Sequence, residues 1–229
     1  MINKITAALG LGLVLTVAIA AAPVSQTATK KAGMTGTSVT TTTPGAIAAQ
    51  VPFYPLQKCV VSGEALVAGE ITDVDHEGRL VRLCCKMCTR QLENDPAAII
   101  AKLDAAAIAA QMPFYPSEKC LISDEALGSM GDAIDMVHEG RLVRLCCDGC
   151  VKSFKKDTAK YFATIDRGMI AAQLKTYKAT TCPVSGEPLG DGAVNHLYGT
   201  TLVRTCCEKC TGAVDKDPAK YLMKVASAK

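Results

Sequence analysis

The sequence predicts an α+β chain of three small units, each a β-hairpin followed by two short helices, behind an N-terminal region of different composition. Three observations predict it. One stretch is written three times: Leu80-Val81-Arg82-Leu83-Cys84-Cys85-Lys86-Met87-Cys88, Leu142-Val143-Arg144-Leu145-Cys146-Cys147-Asp148-Gly149-Cys150 and Leu202-Val203-Arg204-Thr205-Cys206-Cys207-Glu208-Lys209-Cys210. One lone cysteine precedes each stretch, Cys59, Cys120 and Cys182, so all 12 cysteines fall four to a unit. Apolar residues alternate before each cluster and take a helical period after it.

The lone cysteines stand 61 and 62 positions apart. A unit of about sixty residues has a marginal core unless a metal or disulfide supports it. Aromatic residues make up 4% of the chain and Trp is absent, so the units have little bulk to bury. The net charge of +3 is weak and the basic residues are spread, which argues against a nucleic-acid partner. The repeat length matches no common solenoid period, so the expectation is beads on a string.

Residues 1–22 have the form of a secretory signal peptide: Lys4 supplies the positive start, Ala7 to Ala20 the apolar run, and Ala20-Ala21-Ala22 a small-x-small cleavage pattern. An uncleaved anchor is the alternative, but the run is short of the ~20 apolar residues of a span. The expectation is therefore export, to a periplasm or the extracellular space, with no membrane span after cleavage. Residues 23–45, rich in Thr, Ser, Ala and Gly, bury too little to offset their ordering entropy and read as a flexible tether.

The repeats then occupy 46–104, 105–166 and 167–229. Each opens on a helix-forming phrase ending in Gln50, Gln111 or Gln173; Pro52 stops the first. Phe53-Tyr54-Pro55 and Phe114-Tyr115-Pro116 follow as local core, whereas the third unit has Lys175-Thr176-Tyr177. Each lone cysteine leads two apolar residues and a Ser-Gly or Ser-Asp pair, a strand end turning as a knuckle. In the repeated stretch Leu80 and Arg82 fall on one strand face, Val81 and Leu83 on the other. Gly78 and Gly140 suit the hairpin turn before it. After the clusters, Cys88 and Leu92, Cys150 and Phe154, Cys210 and Val214 lie four apart on one helical face. Asp95-Pro96, Asp157-Thr158 and Asp217-Pro218 then start a second helix.

A knuckle cysteine plus a cluster at a strand-to-helix junction is how treble-clef-like thiolate sites are built, with the helix start favouring the anions. The expected ligands are Cys59, Cys84, Cys85 and Cys88; Cys120, Cys146, Cys147 and Cys150; Cys182, Cys206, Cys207 and Cys210. Neighbours in sequence do not easily both face one ion, so one of each adjacent pair stands as a ligand and the other as a small buried hydrophobe or a secondary ligand. Arg82, Arg144 and Arg204 lie on an exposed strand face or assist the sulfurs. Disulfides remain the competing use in an oxidising compartment, and thiol redox chemistry a third, although the βαβ context of thioredoxin-like enzymes is missing.

Cys-x-Val-Ser-Gly-Glu-x-Leu, an alternating strand, Cys-Cys-x-x-Cys and Asp-Pro-Ala-Lys-Tyr-Leu together resemble the TRASH and YHS group of metal-binding domains, related to the MYM-type zinc fingers. The resemblance runs from about Gln50 onward and is fullest in the third unit, in Cys182-Pro183-Val184-Ser185-Gly186-Glu187 and Asp217-Pro218-Ala219-Lys220-Tyr221-Leu222. It implies binding or sensing of heavy metals. Its pattern falls on Cys59, Cys84 and Cys88; Cys120, Cys146 and Cys150; Cys182, Cys206 and Cys210. Family members with a second knuckle cysteine carry it where this chain has Ser62, Ser123 and Ser185. Three thiolates would suit Cu(I) and four Zn(II), about one ion per repeat. His76 and His138 occupy equivalent places that Tyr198 takes in the third unit, with His196 displaced; they read as polar hairpin residues or, less simply, as ligands. The expected function is an exported, non-enzymatic binder of Zn(II) or Cu(I) for buffering, delivery or sensing, with an exported metal-handling protein as partner. A disulfide-stabilised interaction module and a thiol-disulfide oxidoreductase are the alternatives.

Overall fold

A computed structural model describes residues 44–227; the signal-peptide and tether expectations for 1–43 lie outside the described residues. The described chain is α+β, with three two-stranded antiparallel sheets each followed by helices. Helix α1, Pro44–Ala48, leads into the first hairpin, β1 Thr72–His76 and β2 Arg79–Leu83, then α2, Lys86–Asn94, and α3, Pro96–Gln111. The second unit has β3 Ile134–His138, β4 Arg141–Leu145, α4 Asp148–Phe154 and α5 Thr158–Leu174. The third has β5 Val194–Tyr198, β6 Thr201–Thr205, α6 Glu208–Lys216 and α7 Pro218–Ser227.

Each hairpin turns through two residues, fixed by the pairs His76↔Arg79, His138↔Arg141 and Tyr198↔Thr201. In the first two the turn is Glu-Gly with both residues at positive φ, the twist a tight hairpin prefers. The third turn places Gly199 first, at φ 60. The inner faces of the second strands supply the cores. Val81 and Leu83 pack with Leu92, Ile99 and Leu103; Val143 and Leu145 with Phe154, Phe162, Ile165 and Met169; Val203 with Val214 and Val225. Leu80, Leu142 and Leu202, on the opposite strand face, are buried as well, so these strands are covered on both sides.

What covers them is the helix that precedes each hairpin. The glutamine ending each helix-forming phrase clamps the turn. The Gln50 amide donates to the Gly78 carbonyl at 2.6 Å and accepts from Leu80 N–H at 3.0 Å. Gln111 treats Gly140 and Leu142 the same way, and Gln173 treats Thr200 and Leu202. Four residues later a tyrosine hydroxyl takes the next outward N–H: Tyr54 from Arg82, Tyr115 from Arg144 and Tyr177 from Arg204. The third unit, despite its different loop, thus keeps its tyrosine in place.

The beads-on-a-string expectation gives way here. Helix α3 is capped at its start by Asp95, whose carboxylate accepts from Ala98 N–H, and ends at the Gln111 clamp of the next hairpin. Helix α5, capped by Asp157, joins the second unit to the third in the same manner. A further contact crosses between units: the Arg141 guanidinium, stacked on Phe162 of its own unit at 4.3 Å, lies over the Phe53 ring of the first at 4.6 Å. All the described residues fall in one compact unit. By length and composition the run Pro96–Phe114 could cross a membrane, yet Ile99, Leu103 and Ala107 on it are core residues.

Candidate metal centres

Each site begins at the knuckle. Cys59 N–H donates to the Glu64 carbonyl at 2.7 Å and Gly63 N–H donates back to the Cys59 carbonyl at 2.9 Å, closing the turn over the sulfur. Gly63 and Gly186 sit at φ 79 and 80; Asp124 occupies the same left-handed position in the second unit at φ 60. The cluster cysteines come from the other direction, off the end of β2, β4 or β6. There the middle cysteine becomes the helix N-cap and the last cysteine faces inward from the first turn.

The result is three matching sulfur sets. The Sγ atoms of Cys59, Cys84 and Cys88 all lie within 4.8 Å of one another, as do those of Cys120, Cys146 and Cys150, and of Cys182, Cys206 and Cys210. The middle cysteines stand outside these mutual sets but against their edge. Cys85 Sγ is 3.8 Å from Cys84 and 3.7 Å from Cys88, and the Cys84–Cys88 edge is 3.8 Å. The other two units repeat these separations at 3.7–3.9 Å. A tetrahedral four-thiolate ion with bonds of about 2.3 Å has sulfur edges of about 3.8 Å. The donor set therefore fits a thiophilic cation, with the knuckle, first and last cysteines as its holders and the middle one at hand. All twelve cysteines are free thiols, and these separations are well beyond the ~2.05 Å of a disulfide.

The proton inventory of each set is uneven. Burial pushes the Cys59 thiol up, but hydrogen bonds from Ser62, Cys84 and Val61 outweigh it and hold it at about 6. Cys120 and Cys182 are likewise held at about 6, against burial, by Ser123 and Ser185 with neighbouring backbone groups. The last cysteine is opposite in sense: burial, the adjacent thiols and the knuckle charge push Cys88, Cys150 and Cys210 up to about 12. Backbone N–H groups of the helix start lower Cys85, Cys147 and Cys207. Each site thus holds one ready thiolate beside a thiol that keeps its proton chiefly because it is buried, with the knuckle charge adding to the effect. A bound cation would reverse that repulsion.

The serines at the expected second knuckle positions touch the site. Ser62 Oγ is hydrogen-bonded to Cys84 Sγ at 3.3 Å, and Ser123 and Ser185 reach Cys146 and Cys206 at 3.4 Å. The arginines take the strand-face role. Arg82 Nε donates to Asp73 at 2.9 Å, Arg144 to Asp135 at 2.8 Å and Arg204 to Asn195 at 3.1 Å, each pairing across its hairpin. None of the three histidines joins a metal-capable group among the described residues. His138 packs edge-on to Phe154 at 5.4 Å, and burial holds its pKa below the usual value. His196 Nε2 pairs with Asp215 at 2.8 Å.

The tyrosine and glutamine clamps went unread in the sequence, although the fixed interval Gln50 to Tyr54, Gln111 to Tyr115 and Gln173 to Tyr177 is visible there. These three cysteine centres, compatible with metal-binding domains, stand on their geometry: no known protein family, curated protein or solved structure matches the chain.

Proposed function

We propose that the chain is an exported, non-catalytic metal-binding protein whose three TRASH/YHS-like units each take one thiophilic ion, Zn(II) or Cu(I), for buffering, delivery or sensing outside the cytoplasm. The observation that carries this reading is the threefold recurrence of a knuckle, first and last cysteine with sulfurs mutually within 4.8 Å. Three sulfurs within 4.8 Å of one another, one edge of them at tetrahedral spacing, and held by a hairpin and helix start, form a donor set that soft and borderline cations prefer over hard ones. Export is supported by the character of residues 1–22, and binding over turnover by the threefold repetition of one sulfur set, which a single active dithiol would not need. The test is elemental analysis with free-thiol counting on protein recovered from its native compartment. About one Zn or Cu per unit, with thiols released by a chelator, supports the reading; two disulfides per unit and no metal overturn it in favour of a stapled interaction module.

A further inference from the structure

The sulfur geometry holds two overlapping triangles in each unit. The inner one is the mutual set Cys59, Cys84 and Cys88. The outer one is Cys84, Cys85 and Cys88, with edges of 3.8, 3.7 and 3.8 Å. They share the Cys84–Cys88 edge. Solvent access divides them. In the second unit Cys120, Cys146 and Cys150 are all buried and only Cys147 is partly exposed; in the third, Cys207 is exposed and Cys206 half-exposed beside buried Cys182 and Cys210. In the first, Cys59 and Cys88 are buried while Cys85 and Cys84 are half-exposed.

We propose that Cys85, Cys147 and Cys207 complete a second, outward-facing three-sulfur position through which a thiophilic ion is taken up and released by the inner set. The inference rests on the metal-binding reading and assigns a kinetic role within it. An ion arriving on a small-thiol carrier meets the exposed middle sulfur first. A metal–sulfur bond to Cys85 forms as one to the carrier thiolate breaks, and the displaced carrier and the cysteine proton leave to solvent, with no change in oxidation state. Because Cys84 and Cys88 belong to both triangles, the ion moves inward by exchanging Cys85 for Cys59 while two bonds are kept.

The experiment uses the full chain loaded with Zn(II), and with Cu(I) under anaerobic conditions, challenged with a chromogenic chelator. A variant carrying C85S, C147S and C207S is expected to hold the wild-type metal content while its transfer to the chelator slows about tenfold or more. A variant carrying C59S, C120S and C182S should instead lose the metal. Independently of any variant, brief alkylation of the loaded wild-type protein, followed by peptide mapping, should label Cys85, Cys147 and Cys207 first with the metal retained. Wild-type transfer rates in the middle-cysteine variant, its loss of metal as complete as that of the knuckle variant, or even labelling of all four cysteines would overturn the proposal. A wild-type chain that binds no metal overturns the metal-binding reading along with it, whereas the former outcomes leave that reading standing.

Discussion

Gln111 and Leu142 are joined by a side-chain-to-backbone hydrogen bond of 2.9 Å that makes the end of one unit the clamp of the next. The same amide donates to Gly140 at 2.7 Å, and Gln111 is 7% exposed. Gln111→Leu would leave a buried N–H and a buried carbonyl without partners. The expected loss is about 2 to 4 kcal/mol in urea unfolding. Gln173→Leu, at the half-exposed equivalent, should cost less because water can reach the freed groups. Equal and negligible effects would show that the clamp is not structural.

Gly199 tests packing between the first and third units. A Cβ there would be driven into the Pro52 carbonyl oxygen, and the residue sits at φ 60. Gly63 has a similar φ of 79 but open space around it. Gly63→Ala should therefore cost only the left-handed backbone penalty, about 1 kcal/mol, and Gly199→Ala distinctly more. Matching melting temperatures for the two variants would contradict the contact.

Metal affinity should fall as pH falls, because protons compete for the sulfurs. Near neutrality Cys59, held at about 6, is ionised while Cys88, raised to about 12, carries a proton that the cation must displace. Below about 6 the knuckle thiolate takes up a proton too, and one more must leave on binding. Competition titrations across pH should show the affinity-versus-pH slope steepening by about one proton per site there. An affinity flat from about pH 5 to about pH 8 would contradict the thiolate assignment.

Cys88→Ser should remove about one of three metal equivalents, because every sulfur of a set comes from within its own unit. Native mass spectrometry distinguishes this from loss of all three, which would require a shared centre.

The parts of the fold legible in the sequence are those set by neighbours along the chain. Val81 and Leu83 alternate into the core, Cys88 and Leu92 share a helical face, and Asp95 caps before Pro96, all through local period and capping chemistry. The sulfur set was legible for the same reason: its spacing recurs three times. What escaped depends on distant partners. Nothing beside Phe53 signals that Arg141 will lie on its ring, and nothing beside Ser62 signals a bond to Cys84, 22 positions away. That one helix of 16 residues, Pro96–Gln111, joins two units was partly legible, since the Asp95-Pro96 start runs without a break signal into Ala107-Ile108-Ala109-Ala110-Gln111. Its first half packs into the first core through Ile99 and Leu103 and its last residue, Gln111, clamps the second hairpin, so the helix is one rod shared by two units.

That rod sets how such a chain can be divided or lengthened. The module that folds runs from one capped helix through to the next, overlapping its neighbour by a whole helix, whereas the module displayed by the cysteines ends midway. A cut between Asp104 and Ala105 would leave the lid of the first core, Ile99 and Leu103, and the clamp of the second hairpin, Gln111, each on half a helix. Viable fragments, or added copies, would have to be measured helix to helix and not cysteine to cysteine.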